Sequence, residues 1–280
     1  RFHRRRDSSF VRLEVQQVDI DKTSELSAMD VVILPPSLAE GLPSGYDDLS
    51  KTLNKLHNNG RLLCSVCAGA FILAEAGLLD GRVATTHWGL ADQFRARFAS
   101  VVLDTDKLVI DDGDIITAGG LMAWTDLGLQ LVDRYLGPAT MLETAKFMLV
   151  DPGGREQRFY STFAPSLRHG DHKILKIQQW LQKQSMKQIT VKEIADYSGL
   201  SMRTFIRRFQ KATELNPSEY LQHMRVGKAR ELMEFTSRSI DEIAWEVGYQ
   251  DPGAFRRIFH KLMGLTPRDY RARFSMAQAK

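Results

Sequence analysis

The sequence predicts an open, mostly parallel α/β sheet flanked by helices, followed by an all-α domain with two helix-turn-helix motifs. Three observations support this. Short apolar runs alternate with amphipathic stretches over the first 165 residues, the pattern of strands and helices stacked in layers. Near the C-terminus two segments repeat one another at an offset of 49 to 50 residues. Charge divides the chain in the same place. Residues 173–280 carry 20 Lys and Arg against 11 Asp and Glu, a net of +9, whereas residues 1–172 carry 18 against 23, a net of −5. The basic half is the one suited to meet a polyanion.

At 280 residues the chain is long for one core, so two domains are expected: 1–165, a linker at 166–172, and 173–280. No window approaches the ~20 apolar residues of a membrane span, so no membrane partner is expected. The N-terminus "RFHRRRDSSF" is basic but has no apolar signal core. It does not begin with Met and is read as a fragment or processed product. Two cysteines exclude a disulfide scaffold and indicate a reducing, cytoplasmic setting.

In the first domain, "DVVILPP" (30–36) reads as a buried parallel-type strand and "YDDLSKTLNKLHNNG" (46–60) as an amphipathic helix closed by Asn-Gly. "RLLCSV" (61–66) is a second buried strand and "AGAFILAEAGLL" (68–79) a helix. There follow a strand "RVATTH" (82–87), a helix near 88–98, a hairpin-like segment over 101–120, and a helix from about Trp124 to Leu136.

Both cysteines lie in "LLCSVCAGAF" (62–71). A redox pair needs both sulfurs at a helix start, and zinc needs about two further ligands of matching spacing. Neither is present, and no metal or cofactor is expected. Cys64 falls mid-strand as a small buried hydrophobe. Cys67 falls at the strand-to-helix turn, on the carboxyl edge where open α/β sheets place their sites. Ser65 and Gly69 flank it with small side chains, as a tight nucleophile elbow demands. The N–H groups of the following helix are expected to favour the thiolate and lower its pKa.

The stretch "VCAGAFILAEAGLLDGRVATTHW" (66–88), with "DGDIITAGGLMAWTDLGLQLV" (112–132), resembles the class I glutamine amidotransferase-like superfamily, a flavodoxin-like fold that includes PfpI-type peptidases. The resemblance implies that Cys67 matches the elbow cysteine and His87 the histidine near it. It also implies that Ala68 supplies a backbone N–H beside the pocket, next to Gly69, and that Gly119 and Gly120 lie at its rim. His87 as a structural histidine at a strand end stays open. Three departures argue against turnover: Ala68 stands where PfpI-type peptidases carry His, no downstream His-x-Glu pair follows, and the superfamily's first strand and acidic residue would precede residue 1. No residue is therefore assigned a catalytic role; Cys67 and His87 are read as a vestigial site.

In the second domain, "TVKEIADYSGL" (190–200) aligns with "SIDEIAWEVGY" (239–249), "RTFIRRF" (203–209) with "GAFRRIF" (253–259), and "ELNPSEY" (214–220) with "GLTPRDY" (264–270). Thr190 and Ser239 cap helices, each with a Glu three residues on. Gly199 and Gly248 turn the chain. Ser201 and Asp251-Pro252 open the second helix of each copy. The motifs span about 190–212 and 239–263, joined by a long helix over 217–235 that would set the recognition helices about one DNA turn, ~34 Å, apart. Phe205, Phe209, Phe255 and Phe259 face inward. That leaves Met202, Arg203, Thr204, Arg207 and Arg208 outward on one recognition helix, and Gln250, Gly253, Arg256, Arg257 and His260 similarly placed on the other; with the capping residues Ser201 and Asp251 they are the expected contacts to bases or phosphates of double-stranded DNA.

The closing run "VGYQDPGAFRRIFHKLMGLTPRDYR" (247–271) resembles the DNA-binding domain of AraC/XylS-type regulators, which implies seven helices. An amidotransferase-like domain ahead of it is the arrangement of GlxA-like regulators, whose inter-domain border "GREQRFYSTFAP" (154–165) resembles. The expectation is a sequence-specific transcription regulator, a homodimer whose first domain binds an amine- or amino-acid-like effector. A cysteine hydrolase or deglycase tethered to a DNA-binding module, and a redox sensor acting through Cys67, are the alternatives.

Overall fold

The computed structural model describes residues 2–3, 12–13, 29–36, 46–184 and 189–276. Apart from the backbone of Phe2–His3, the basic N-terminal stretch lies outside the described residues. The chain forms two compact units, Arg1–Gln157 and Arg158–Lys280.

In the first unit, β1 (Phe2–His3) pairs antiparallel with β2 (Arg12–Leu13). The main sheet holds β3 (Val31–Leu34), β4 (Leu62–Val66), β8 (Ile115–Ala118) and β7 (Val109–Asp111) in the order β3-β4-β8-β7. The first two pairings are parallel, with Ile33 opposite Cys64 and Cys64 opposite Ile116; β7 closes the edge antiparallel. Every residue of β4 is buried, because helices cover both faces. Its alternation sends Leu63 into a core with Leu53 and Leu56 of α1 (Asp47–Asn58), Phe71 and Leu73 of α2 (Gly69–Glu75), and Phe94 of α3 (Ala91–Arg97). Leu62, Cys64 and Val66 point the other way, onto Leu127 of α4 (Trp124–Leu136).

Several elements are shorter than the sequence suggests. The helix expected over 68–79 ends at Glu75, since Gly77 turns with φ +73°. The strand expected over 82–87 is only β5 (Val83–Ala84), because the Thr85 N–H donates to the Thr117 hydroxyl of β8 and the Thr86 hydroxyl to the Cys67 carbonyl. The hairpin expected over 101–120 is real only for β7 and β8; β6 (Val102–Leu103) pairs parallel with β5 instead. A further helix, α5 (Pro138–Met148), starts at a helix-compatible Pro after Gly137. Its weak amphipathicity gave no sequence signal.

The second unit has seven helices among the described residues: α6 (His172–Lys183), α7 (Val191–Ser198), α8 (Met202–Thr213), α9 (Pro217–Phe235), α10 (Ile240–Glu246), α11 (Pro252–Met263) and α12 (Pro267–Phe274). The duplication in sequence is a duplication in packing. Phe205, Phe209 and Tyr220 are buried in one core, and Phe255, Phe259 and Tyr270 in the other. Phe209 meets Tyr220 edge-on at 5.1 Å, as Phe259 meets Tyr270 at 5.5 Å. Both capping boxes form, Thr190 with Glu193 and Ser239 with Glu242, and Asn216 with Glu219 adds a third at the start of α9. Gly199 and Gly248 take positive φ at the turns, as expected. The segment after Gln157 is fastened to this unit: Phe163 stacks on His223 at 4.7 Å, and Arg230 donates to the Ser161 carbonyl.

Candidate functional site

Two places merit attention, one in each unit. In the second unit, α7–α8 and α10–α11 are the two helix-turn-helices. Ser201 caps α8 through the Thr204 N–H, and the Asp251 carboxylate caps α11 by accepting from Gly253 and Ala254 at 2.8 and 2.9 Å. Both side chains thus hold the start of a recognition helix, and their polar groups are engaged within the protein, Ser201 also donating to the Thr204 hydroxyl at 2.9 Å. Met202, Arg203, Ile206 and Arg207 form an exposed strip along α8, continued by Gln210 and Lys211. Thr204 is half-buried. Ile206 and the α8 residues beyond Arg208 are missing from the sequence-derived set; a helical projection of the outward face would have found them.

Arg208 differs from its neighbours. It grips the Asp171 carboxylate, the cap of α6, at 2.7 and 2.9 Å, which holds that carboxyl below the usual range. Its counterpart in the repeat is the half-buried Ile258, so this position faces the protein in both copies. Gln250, in the turn before α11, and Arg256, Arg257 and His260 on it are exposed, and Gly253 is half-buried beside the Asp251 cap. Arg256 pairs with Asp241, and Arg257 lies 3.6 Å from Asp251. Such exposed pairs are weak enough to yield to a phosphate.

In the first unit, three loops meet at the carboxyl edge of the parallel strands. Cys67 directly follows β4 and takes φ +54°, a left-handed conformation that a β-carbon disfavours. Its N–H donates to the Ala118 carbonyl at 2.7 Å, and its carbonyl accepts from the Thr86 hydroxyl at 2.9 Å. Gly69 follows where no side chain fits, since a Cβ there would lie 2.7 Å from the Leu34 carbonyl oxygen. The elbow geometry is therefore present, with small neighbours as expected. Its electrostatics are not those expected. Burial pushes the Cys67 thiol pKa up, and the single opposing contact is the Ala68 N–H. Burial outweighs that contact. Cys64 is fully buried on the strand and its thiol is pushed up to about 12. Both thiols are free, so the C-x-x-C spacing makes no disulfide.

His87 stands one residue beyond Thr86. Its Nδ1 accepts from the Gly89 N–H at 3.0 Å and its ring stacks on Trp88. That acceptance places the proton of the neutral ring on Nε2, and burial lowers the imidazole pKa, keeping the ring neutral. Gly119 and Gly120 follow β8, beside the turn at Cys67.

Behind these loops sits Gln157, a residue whose motif the sequence had marked only as a border. Its buried Nε2 lies 2.9 Å from each of the Thr85 hydroxyl, the Thr86 carbonyl and the Lys107 carbonyl, and its Oε1 accepts from the Trp88 N–H. One side chain thus ties the His87 loop to the end of the first unit. Only the tertiary contacts reveal it.

The helix-turn-helix domain family matches residues 194–273, and the DJ-1/PfpI family matches residues 12–134. The HTH-type transcriptional regulator ArgR of Pseudomonas aeruginosa is 30% identical over 80% of this chain and 68% of its own length. The chain belongs to this family of HTH-type transcriptional regulators. The regulator GbdR of the same organism is 30% identical over 76% of this chain, and GlxA of Rhizobium meliloti 28% over 84%. The chain spans 58% of the length of GbdR and 74% of that of GlxA. A DJ-1/PfpI domain ahead of an AraC-type helix-turn-helix domain is thus the organisation of this family member, as the sequence motifs implied. Among the described residues no helix is long and apolar enough to cross a membrane.

Proposed function

We propose that this chain binds duplex DNA sequence-specifically through α8 and α11, and that its DJ-1/PfpI unit senses a small effector at the Cys67–His87 edge. What carries the first half is the pair of capped recognition helices, each with exposed Arg side chains in a basic unit. For the second half, the support is the convergence of three backbone loops on a strained residue.

The same edge is poorly equipped for turnover. A thiol held protonated by burial is a weak nucleophile, and a histidine presenting Nε2–H is a donor, not a base. That donor suits a carboxylate or carbonyl of an amino-acid-like or amine-derived effector. The raised thiol pKa also opposes a redox-sensing role. The regulator would act in the cytoplasm as a homodimer, with effector binding shifting the population of a DNA-competent arrangement.

A thermal-shift screen of free amino acids and small amines tests the sensor reading. One of them should raise the unfolding temperature and change affinity for DNA, and both effects should weaken in His87→Ala. Amide or glyoxal turnover abolished by Cys67→Ala would instead establish an enzyme.

A further inference from the structure

Arg225 lies midway along α9, where that helix passes from one core to the other. Leu221 and Met224 belong to the first helix-turn-helix core; Val226 and Ala229 belong to the second. Arg225 reaches both motifs. Its Nη2 donates to the Ile189 carbonyl at 3.0 Å, directly before the Thr190 cap of α7. Its guanidinium also lies 5.5 Å from the ring centroid of Tyr249, in the turn between α10 and α11. Tyr249 in turn packs edge-on against Phe255 of the recognition helix at 5.4 Å.

The arrangement is a poor choice for stability. Arg225 Nε and the Tyr249 hydroxyl are buried without a hydrogen-bond partner. An apolar side chain of similar length would fill the seam without that desolvation cost, so what a polar one adds is a single defined arrangement. A planar guanidinium can donate along its edge while facing an aromatic ring, which a lysine ammonium cannot do.

We infer that Arg225 is a positioning residue that fixes the mutual orientation of the two recognition helices, and so the half-site spacing on duplex DNA that the chain accepts. The inference rests on the DNA-binding reading. One added base pair moves a half-site about 3.4 Å along the axis and turns it by about 35°. Two motifs bolted at a fixed angle reject that change; two motifs hinged on α9 follow it.

The test begins with duplexes selected from a random-sequence library by the full chain. Affinity is then measured for the selected bipartite site, for the same site with one base pair inserted or removed, and for a single half-site. The native chain should lose at least about tenfold on insertion. Arg225→Met should lose less than about threefold on insertion, while binding the single half-site within about twofold of native. Tyr249→Leu, which removes only the ring contact, should relax spacing in the same direction. An unchanged spacing profile in folded variants overturns the inference while leaving DNA binding intact, as does an equal loss on every duplex. Loss of fold in both variants would make Arg225 structural and also overturn it. If the native chain selects no duplex, the DNA-binding reading falls and this inference with it.

Discussion

A Cβ placed on Gly119 would stand 1.9 Å from Gln157 Nε2, so the Gln157 amide occupies the space that any side chain at Gly119 would need. The absence of a side chain on one loop is what lets a residue 38 positions later tie three loops together.

Gly119→Ala should therefore act through Gln157. Expelling the amide takes the Oε1 acceptor from the Trp88 N–H and leaves the Thr86 and Lys107 carbonyls to share the Thr85 hydroxyl, at a cost of about 1–3 kcal/mol. Gln157→Leu should cost a similar amount, and the double variant should be far from additive because both changes break the same contacts. Urea titrations of the two single variants and the double variant check this; full additivity would contradict it.

The Cys67 thiol should react slowly. Burial holds it protonated, so alkylation by iodoacetamide at pH 8 should run well below the rate of a free cysteine and rise with pH beyond the ordinary thiol range. A rate plateau reached below pH 8 would mean a stabilised thiolate and would restore the case for nucleophilic chemistry.

The contrast at Cys67 shows where the sequence was informative. Small residues at Ser65 and Gly69 correctly indicated the turn, because backbone packing depends on neighbours in the chain. The thiol's protonation depends on how deeply three separate loops bury it, which local spacing does not encode. The same division holds in the second unit. Capping residues, phenylalanine pairs and the ends of α9 were legible because they follow helical periodicity. The turn of Arg208 onto Asp171 was not, since the two lie 37 residues apart. Helix α5 went unseen because its sequence lacks a clear apolar stripe.

Acid should weaken the first unit through Asp114. Arg82 lies 2.5 Å from this carboxylate and His57 2.6 Å, and the arginine contact is the main cause holding its pKa well below the usual range. A depressed carboxyl pKa adds stability above its unfolded value, near 4, which is lost as pH falls below that value. The carboxylate is half exposed, so the contribution is about 1 kcal/mol or less after screening. Asp114→Asn should be less stable than native at pH 6, and the gap should narrow progressively as pH falls below about 4. A gap that is constant with pH would contradict the assignment.

Arg207 and Arg208 should separate function from stability. Arg207→Ala should weaken DNA binding and reduce the magnitude of the salt slope by about one. Arg208→Ala should lower the unfolding temperature by breaking the Asp171 contact, while leaving the salt slope nearly unchanged. Equal slopes for Arg207→Ala and the native chain, or a reduced slope for Arg208→Ala, would reverse the roles given to these two residues.

The most direct test of the account is the dependence of duplex affinity on salt, measured with the purified full chain and a selected site. Two recognition helices that each meet the phosphate backbone predict a steep linear fall of log K against log salt, with several phosphates neutralised and about a thousandfold loss between 50 and 200 mM. The selected site should also be preferred over random duplex by about a thousandfold or more. A flat salt response, or no preference for the selected site, would contradict it.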